Sequence, residues 1–304
     1  MKKKTNKSAY KNDYSKEMLP RTRSEQFWRI LRDNFVIFIK LGLILMFLML
    51  PFVFTLVMKT ISLTSIANNS TLSDADKANN LLLLNIMFGA IYVPCIMFLF
   101  VGLCGVLKII RRLIWDEPLF FKDDFFIGIK ESFGPFLLYG FLVGLIAFLN
   151  IFVFHVSFGY LKYVSYGLIG VSFAIVIPII LIAAYISSIY SCKISTSFVV
   201  SIKLFARRGI FIILILLLLY ATYFLSYIPV QIVFYIAIIF TLIILLFPIW
   251  ILLSYINCFK YLDDYINVYH YPDKAYLGLS ININQNKTEK TDKNNNEVEK
   301  NNNK

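Results

Sequence analysis

Six apolar blocks, each 19 to 27 residues long, divide this 304-residue chain, and few folds are open to such a pattern. They run Phe35–Met58, Leu81–Leu107, Phe133–Phe154, Gly167–Ile189, Gly209–Tyr227 and Val230–Ile256. A bilayer core of about 30 Å needs roughly 20 residues at 1.5 Å rise each, so every block is long enough to cross it as a helix. Only Ile228-Pro229 separates the last two, and no charge occurs from Gly209 to Phe259. One helix over that stretch would be roughly 75 Å long. A turn at Ser226-Tyr227-Ile228-Pro229 is required, because proline lacks the amide that would continue the helix. Barrel strands alternate polar and apolar residues over about 10 positions, and these blocks do not. The sequence predicts an all-α, polytopic membrane protein with six transmembrane helices.

Charge predicts the orientation. Lysine and arginine number ten before Phe35, five between the second and third blocks, four between the fourth and fifth, and seven after the sixth. The opposite side carries only Lys59, Lys77 and Lys162, and positively charged flanks stay cytoplasmic. Both termini are therefore expected in the cytoplasm, with an outer loop over Lys59–Asn80. The net charge of +12 needs no nucleic-acid partner. It is the same bias, and its basic segments suit anionic lipid as well as the bilayer itself. The first apolar run, at 24 residues, exceeds the 7–15 of a signal-peptide core and reads as a span. Residues 1–26 read as a basic, disordered tail, 27–258 as the membrane domain, and 259–304 as a second tail. Met1–Pro20 and Asn282–Lys304 have too little apolar content to fold. The aromatic stretch Tyr261–Tyr269 is expected to prolong the sixth helix along the interface.

All eighteen acids and both histidines lie outside the six blocks. Intramembrane acids and histidines mark proton relays and cation sites, so a proton-coupled carrier, a cation channel and an intramembrane metalloprotease are disfavoured. Cys95, Cys104, Cys192 and Cys258 form no CxxC pair, and no metal, cofactor or catalytic residue is expected. Lys40 reads as a snorkelling anchor. Asn85 and Asn150 are expected to make interhelical hydrogen bonds. Pro51, Pro94, Pro178 and Pro248 are potential kinks, and Gly140 with Gly144 forms a GxxxG, a spacing common enough in membrane helices to arise by chance.

One constellation stands out in the cytoplasmic loops. After the second block runs Arg111-Arg112, then Trp115-Asp116-Glu117-Pro118, then Leu119 to Ser132. Phe121, Phe125, Ile129 and Phe133 recur at i, i+4 and line one helix face, while Lys122, Asp123, Asp124, Lys130 and Glu131 occupy most of the rest. An amphipathic interfacial helix is predicted here, with Asp116 as its N-cap ahead of Pro118. Arg111, Arg112, Trp115, Asp116, Glu117, Phe121, Asp123, Asp124, Phe125, Ile129 and Lys130 form the expected docking or interfacial element. Asp123 and Asp124 either pair within the loop or meet a partner protein. Phe198 to Arg208, and Phe27-Trp28-Arg29-Ile30, occupy equivalent places before other spans, which suggests three copies of one helical hairpin.

The run Leu107-Lys108-Ile109-Ile110-Arg111-Arg112, the acidic Asp116-Glu117, and Asp124-Phe125-Phe126-Ile127-Gly128-Ile129-Lys130-Glu131-Ser132-Phe133 resemble the YesL-like family of bacterial membrane proteins. Phe27-Trp28-Arg29-Ile30 is similar to that family's start, and the resemblance covers about a third of the chain. Ser132 stands where the family often has asparagine. The resemblance implies a multi-pass bacterial plasma-membrane protein of about six spans, found beside carbohydrate uptake and degradation systems, and implies no catalytic residue. Three functions stay open: a non-enzymatic accessory or assembly component of a solute uptake system, a transporter of an uncharged or hydrophobic solute, and a lipid-contacting domain like that of glycerophosphodiester phosphodiesterases. No segment between blocks is long enough to fold as a catalytic domain.

Overall fold

The computed structural model describes residues 19–157, 160–190, 192–207, 244 and 246–280. The predicted fifth span, most of the sixth and nearly all of the two predicted disordered ends lie outside these residues. Among the described residues every regular element is a helix: α1 (Arg23–Asp33), α2 (Phe35–Ala67), α3 (Asp74–Ile114), α4 (Phe121–Val156), α5 (Leu161–Ile189), α6 (194–207) and α7 (Phe247–Leu262). Helices α2 to α5 are long and apolar enough to cross a membrane. They match the first four predicted spans, and each reaches past its apolar block.

Those extensions alter two predicted loops. The outer loop over Lys59–Asn80 shrinks to a turn at 68–73, because α2 runs to Ala67 and α3 starts at Asp74. Ser73 caps α3 by accepting the Asp76 amide at 3.2 Å, as an N-cap serine should. The predicted interfacial helix is not a separate element either. Residues 121–132 are the first turns of α4, which continues through Pro135 to Val156. A 36-residue helix is about 54 Å long. It is longer than a hydrocarbon core of roughly 30 Å requires, and its first turns pack along the end of α3.

α3 and α4 form a long antiparallel hairpin in one register. From one end to the other, Arg112 faces Asp124, Lys108 faces Gly128, Cys104 faces Ser132, Met97 and Phe100 face Gly140, Val93 faces Gly144, and Gly89 faces Phe148. Glycine is what allows this approach. A β-carbon at Gly140 would sit 2.8 Å from the Met97 Cα, and one at Gly144 would sit 2.9 Å from the Val93 Cα. The GxxxG expected as coincidence is a packing device, of the kind membrane helices use to bring backbones together.

α5 contains a π-turn at Ser172–Val176, just before Pro178. A wider turn absorbs the hydrogen bond that proline cannot make. A second π-turn, Asp263–Asn267, follows α7. The buried core gathers at one end of the bundle: Phe38, Leu41 and Leu45 of α2, Leu107, Ile109 and Ile110 of α3, Phe136 and Tyr139 of α4, Ala183 and Ile186 of α5, and Leu252, Tyr255 and Phe259 of α7. α1 closes that end by burying Arg23, Gln26, Phe27 and Ile30, at i, i+3, i+4 and i+7, where a helix turns one face inward.

Candidate functional site

Three polar clusters meet at this packed end. The first is the predicted loop constellation. α3 stops in a Schellman motif: the Glu117 amide donates to the Arg112 carbonyl at 3.0 Å and the Asp116 amide to Leu113 at 3.4 Å. Asp116 takes the left-handed conformation this requires, with φ 55°. It ends α3 and does not cap α4, contrary to expectation. The residue before α4 is Phe120, whose amide donates to Asp124 Oδ2 at 2.7 Å. Asp124 reaches back one turn to do the capping, and its other oxygen receives Arg112 Nη2 at 3.0 Å. Arg112 also donates to the Pro118 carbonyl at 2.7 Å. Lys108 meets Glu131 at 2.6 Å and Arg111 approaches it at 3.7 Å. Basic residues thus end α3 and acids begin α4, each favoured by its helix dipole.

The eleven predicted residues therefore divide by helix face. Phe121, Phe125 and Ile129 pack on the core with Trp115, and Arg111, Arg112, Glu117 and Asp124 are taken up by internal pairs. Arg111 also lies over the Trp115 ring, 5.0 Å from its centroid, and donates to the Ser188 carbonyl. Phe133 leaves this stripe and is exposed, since four-residue steps drift around a 3.6-residue helix. Asp123 and Lys130 point outward and make no ion pair among the described residues. Loop-internal pairing is what the structure gives Asp124; Asp123 stays available.

The second cluster joins the two ends of the chain, and nothing in the sequence pattern announced it. Arg23 Nη2 meets Asp263 Oδ2 at 2.5 Å with both side chains buried. Asp263 Oδ1 accepts the Asn267 side-chain amide at 2.8 Å and the Tyr276 amide at 3.2 Å. Gln26 donates to the carbonyls of Ile114 at 2.6 Å and Gly278 at 3.2 Å. Gly278 has φ 76° and would drive a β-carbon to 2.0 Å from the Ile114 oxygen, so only glycine fits. Tyr190 donates to Asn267, and burial together with the nearby Asp263 carboxylate pushes its phenol up, keeping it a donor. The expected tail boundaries at 26 and 259 thus fall inside folded structure.

The third cluster is uncharged. Tyr139 bonds Ser187 at 2.7 Å, Ser187 bonds Ser197 at 2.9 Å, and Cys192 lies 3.0 Å from Ser197. Beside it Ser188 meets Tyr255, and Tyr185 meets Ser254 at 2.7 Å. Every hydroxyl has a partner, which buried polar groups require. Elsewhere, Asn150 receives Ser172 at 3.3 Å as an interhelical bond, whereas Asn85 bonds Leu81 of its own helix. No three of His, Cys, Asp and Glu group as metal ligands among the described residues.

No protein-family model, curated protein or solved structure matches the chain. The fold and site thus define a class, a helical protein with several membrane-length apolar helices, and the reading of its role rests on the chain itself.

Proposed function

We propose that this is a six-span plasma-membrane protein with both termini cytoplasmic, acting as a non-enzymatic accessory or assembly component of a solute uptake system. The six-span count is supported by which elements share an end. Arg23, Ile114, Tyr190 and Asp263 are tied together by the bonds described above. An even number of crossings between Tyr190 and Asp263 fits that arrangement, and the apolar run from Gly209 to Ile256 supplies two. Reporter fusions at Asn69, Leu119, Ser201 and Asn294 should read outside, inside, inside and inside. An externally accessible Asn294 would overturn the topology.

The observation that carries the accessory role is the outer face of α4's first turns. Asp123, Phe126, Ile127 and Lys130 lie at i, i+3, i+4 and i+7, with Phe120 just before them. Phe120 is 66% exposed and Phe126 52%. Apolar side chains flanked by charge, on turns that clear the hydrocarbon core, suit a protein partner. Of the two acids expected to dock, Asp124 is taken up by Arg112 and Asp123 stays on this exposed face, while the Phe121/Phe125/Ile129 stripe anchors the helix to the core. The variant D123N/F126A should keep its abundance and fold while losing co-purification of a component of the uptake system. Undiminished recovery of that component would sink the accessory reading.

A second reading, transport of an uncharged solute, has the buried hydroxyl chain Tyr139–Ser187–Ser197 in its favour, because those groups are neutral. Uptake of a neutral sugar into vesicles, abolished by Y139F, would establish it over the first.

A further inference from the structure

We propose that the groove where α1 meets the first turn of α2 binds an anionic phospholipid of the adjoining leaflet. The groove is open, holds about 900 Å³, and is lined by Pro20, Glu25, Trp28, Arg29, Leu31, Arg32 and Phe35. A site of this size takes a phospholipid headgroup and the start of its chains. The inference rests on the membrane reading above and adds a ligand to it.

Position comes first. A single residue, Asn34, separates α1 from α2, so α1 cannot leave the edge of the bilayer that α2 enters. The buried face of α1 is already used against the bundle. Trp28 and Leu31, three residues apart on α1, and Phe35 at the start of α2 line the groove together, next to the exposed α2 residues Val36 and Phe47. Trp28 is 64% exposed, and an indole at this level is what membrane interfaces favour. Acyl chains covering Val36 and Phe47 reach the groove without a break.

Charge selects the headgroup. Arg32 pairs with the Asp33 carboxylate at 3.0 Å, and Arg29 reaches the same carboxylate at 3.8 Å among its contacts. The Arg32 side chain is 81% exposed, and exposed pairs of this kind are weak enough to be shared with a phosphate. Glu25 is engaged by the Arg21 amide at 2.9 Å. At the corner Arg21, Arg29 and Arg32 outnumber Glu25 and Asp33, and six lysines against two acids lie upstream in residues 1–18. Arginine adds a planar fork suited to phosphate oxygens. A zwitterionic lipid carries its own cation and gains less from that field.

The test uses the full chain with W115F and W250F, leaving Trp28 as the one indole, in nanodiscs whose lipids have acyl chains brominated near the headgroup. Brominated phosphatidylglycerol at low mole fraction should quench Trp28 more than brominated phosphatidylcholine at the same fraction. One arginine near an anionic surface corresponds to roughly fivefold enrichment. R29Q/R32Q should remove the excess, and 1 M salt should shrink it, since the screening length falls to about 3 Å. If the double variant fails to fold, R32Q alone should halve the excess or better. Equal quenching by the two lipids would overturn the site, whether the groove then takes any lipid or is covered by the chain's own basic N-terminal residues. Excess quenching that survives R29Q/R32Q would overturn it too. An F47W probe, with Trp28 also replaced by Phe, separates the two failures. F47W quenched while Trp28 shows no headgroup preference removes the site alone, and F47W unquenched removes the membrane reading beneath it.

Discussion

The two ends of the bundle handle polar side chains in opposite ways. At the far end most bond to their own helix: Thr60 to Leu56, Ser62 to Met58, Thr64 to Thr60 and Asn85 to Leu81, each four residues back, with Asn150 and Ser172 bonding across from α4 to α5. At the packed end they bond across helices, as Arg23 does to Asp263, Gln26 to Ile114, Tyr190 to Asn267 and Arg112 to Asp124. A back-bond satisfies a hydroxyl without specifying a neighbour. A cross-helix bond between buried groups holds only when both helices are in register. The tertiary arrangement is therefore specified at the packed end, and the far halves of α2 and α3 follow from it.

The sharpest way to break this contrast is D263N. Removing one partner of a buried ion pair leaves the other uncompensated, at a cost of about 3–5 kcal/mol. Chemical unfolding in detergent should show that loss, and R23M/D263L should recover most of it because neither charge is then stranded. A D263N protein as stable as the parent would mean that the chain ends are not locked. Next comes D124N, which weakens the bond to Arg112 and the cap on Phe120. A hydrogen bond to a charged group is worth about 1.5–3 kcal/mol, whereas outward-facing D123N should stay within about 0.5 kcal/mol. Equal effects at the two positions would erase the distinction between the two faces of α4.

Overpacking probes the hairpin that links the ends. Gly140→Leu should cost about 1–3 kcal/mol, because its β-carbon meets the Met97 and Phe100 carbons rather than open space. The same change at Gly170, which has nothing within 4 Å, should be tolerated. The smallest effect belongs to the turn between α2 and α3. Ser73→Ala removes a cap worth about 1 kcal/mol, and hydrogen exchange should rise over the first turn of α3 while the amides near Asp263 keep their protection.

Much of the architecture could be read without coordinates, because helix length and apolar character are local properties. α2 to α5 fall where the first four apolar blocks predict, and the i, i+4 spacing of Phe121, Phe125 and Ile129 does turn one face of α4 to the core. The charge alternation along α3 and α4 also marks the residues that pair, since helices joined by a short turn bring neighbouring loop charges together. Helix ends were less legible: Asp116 has the composition of an N-cap, yet its backbone serves the helix before it, and only dihedral angles distinguish the two.

What the sequence by itself determined is the set of long apolar helices: in hydrocarbon only helices and closed barrels satisfy the backbone, and these blocks lack the alternation of barrel strands. What the tertiary structure decided is which polar residues matter to one another. Arg23 and Asp263 lie 240 positions apart and carry no shared motif, so no window along the chain contains both. They meet because α1 and α7 pack at one end of the bundle, and a buried charge there holds only with its opposite beside it.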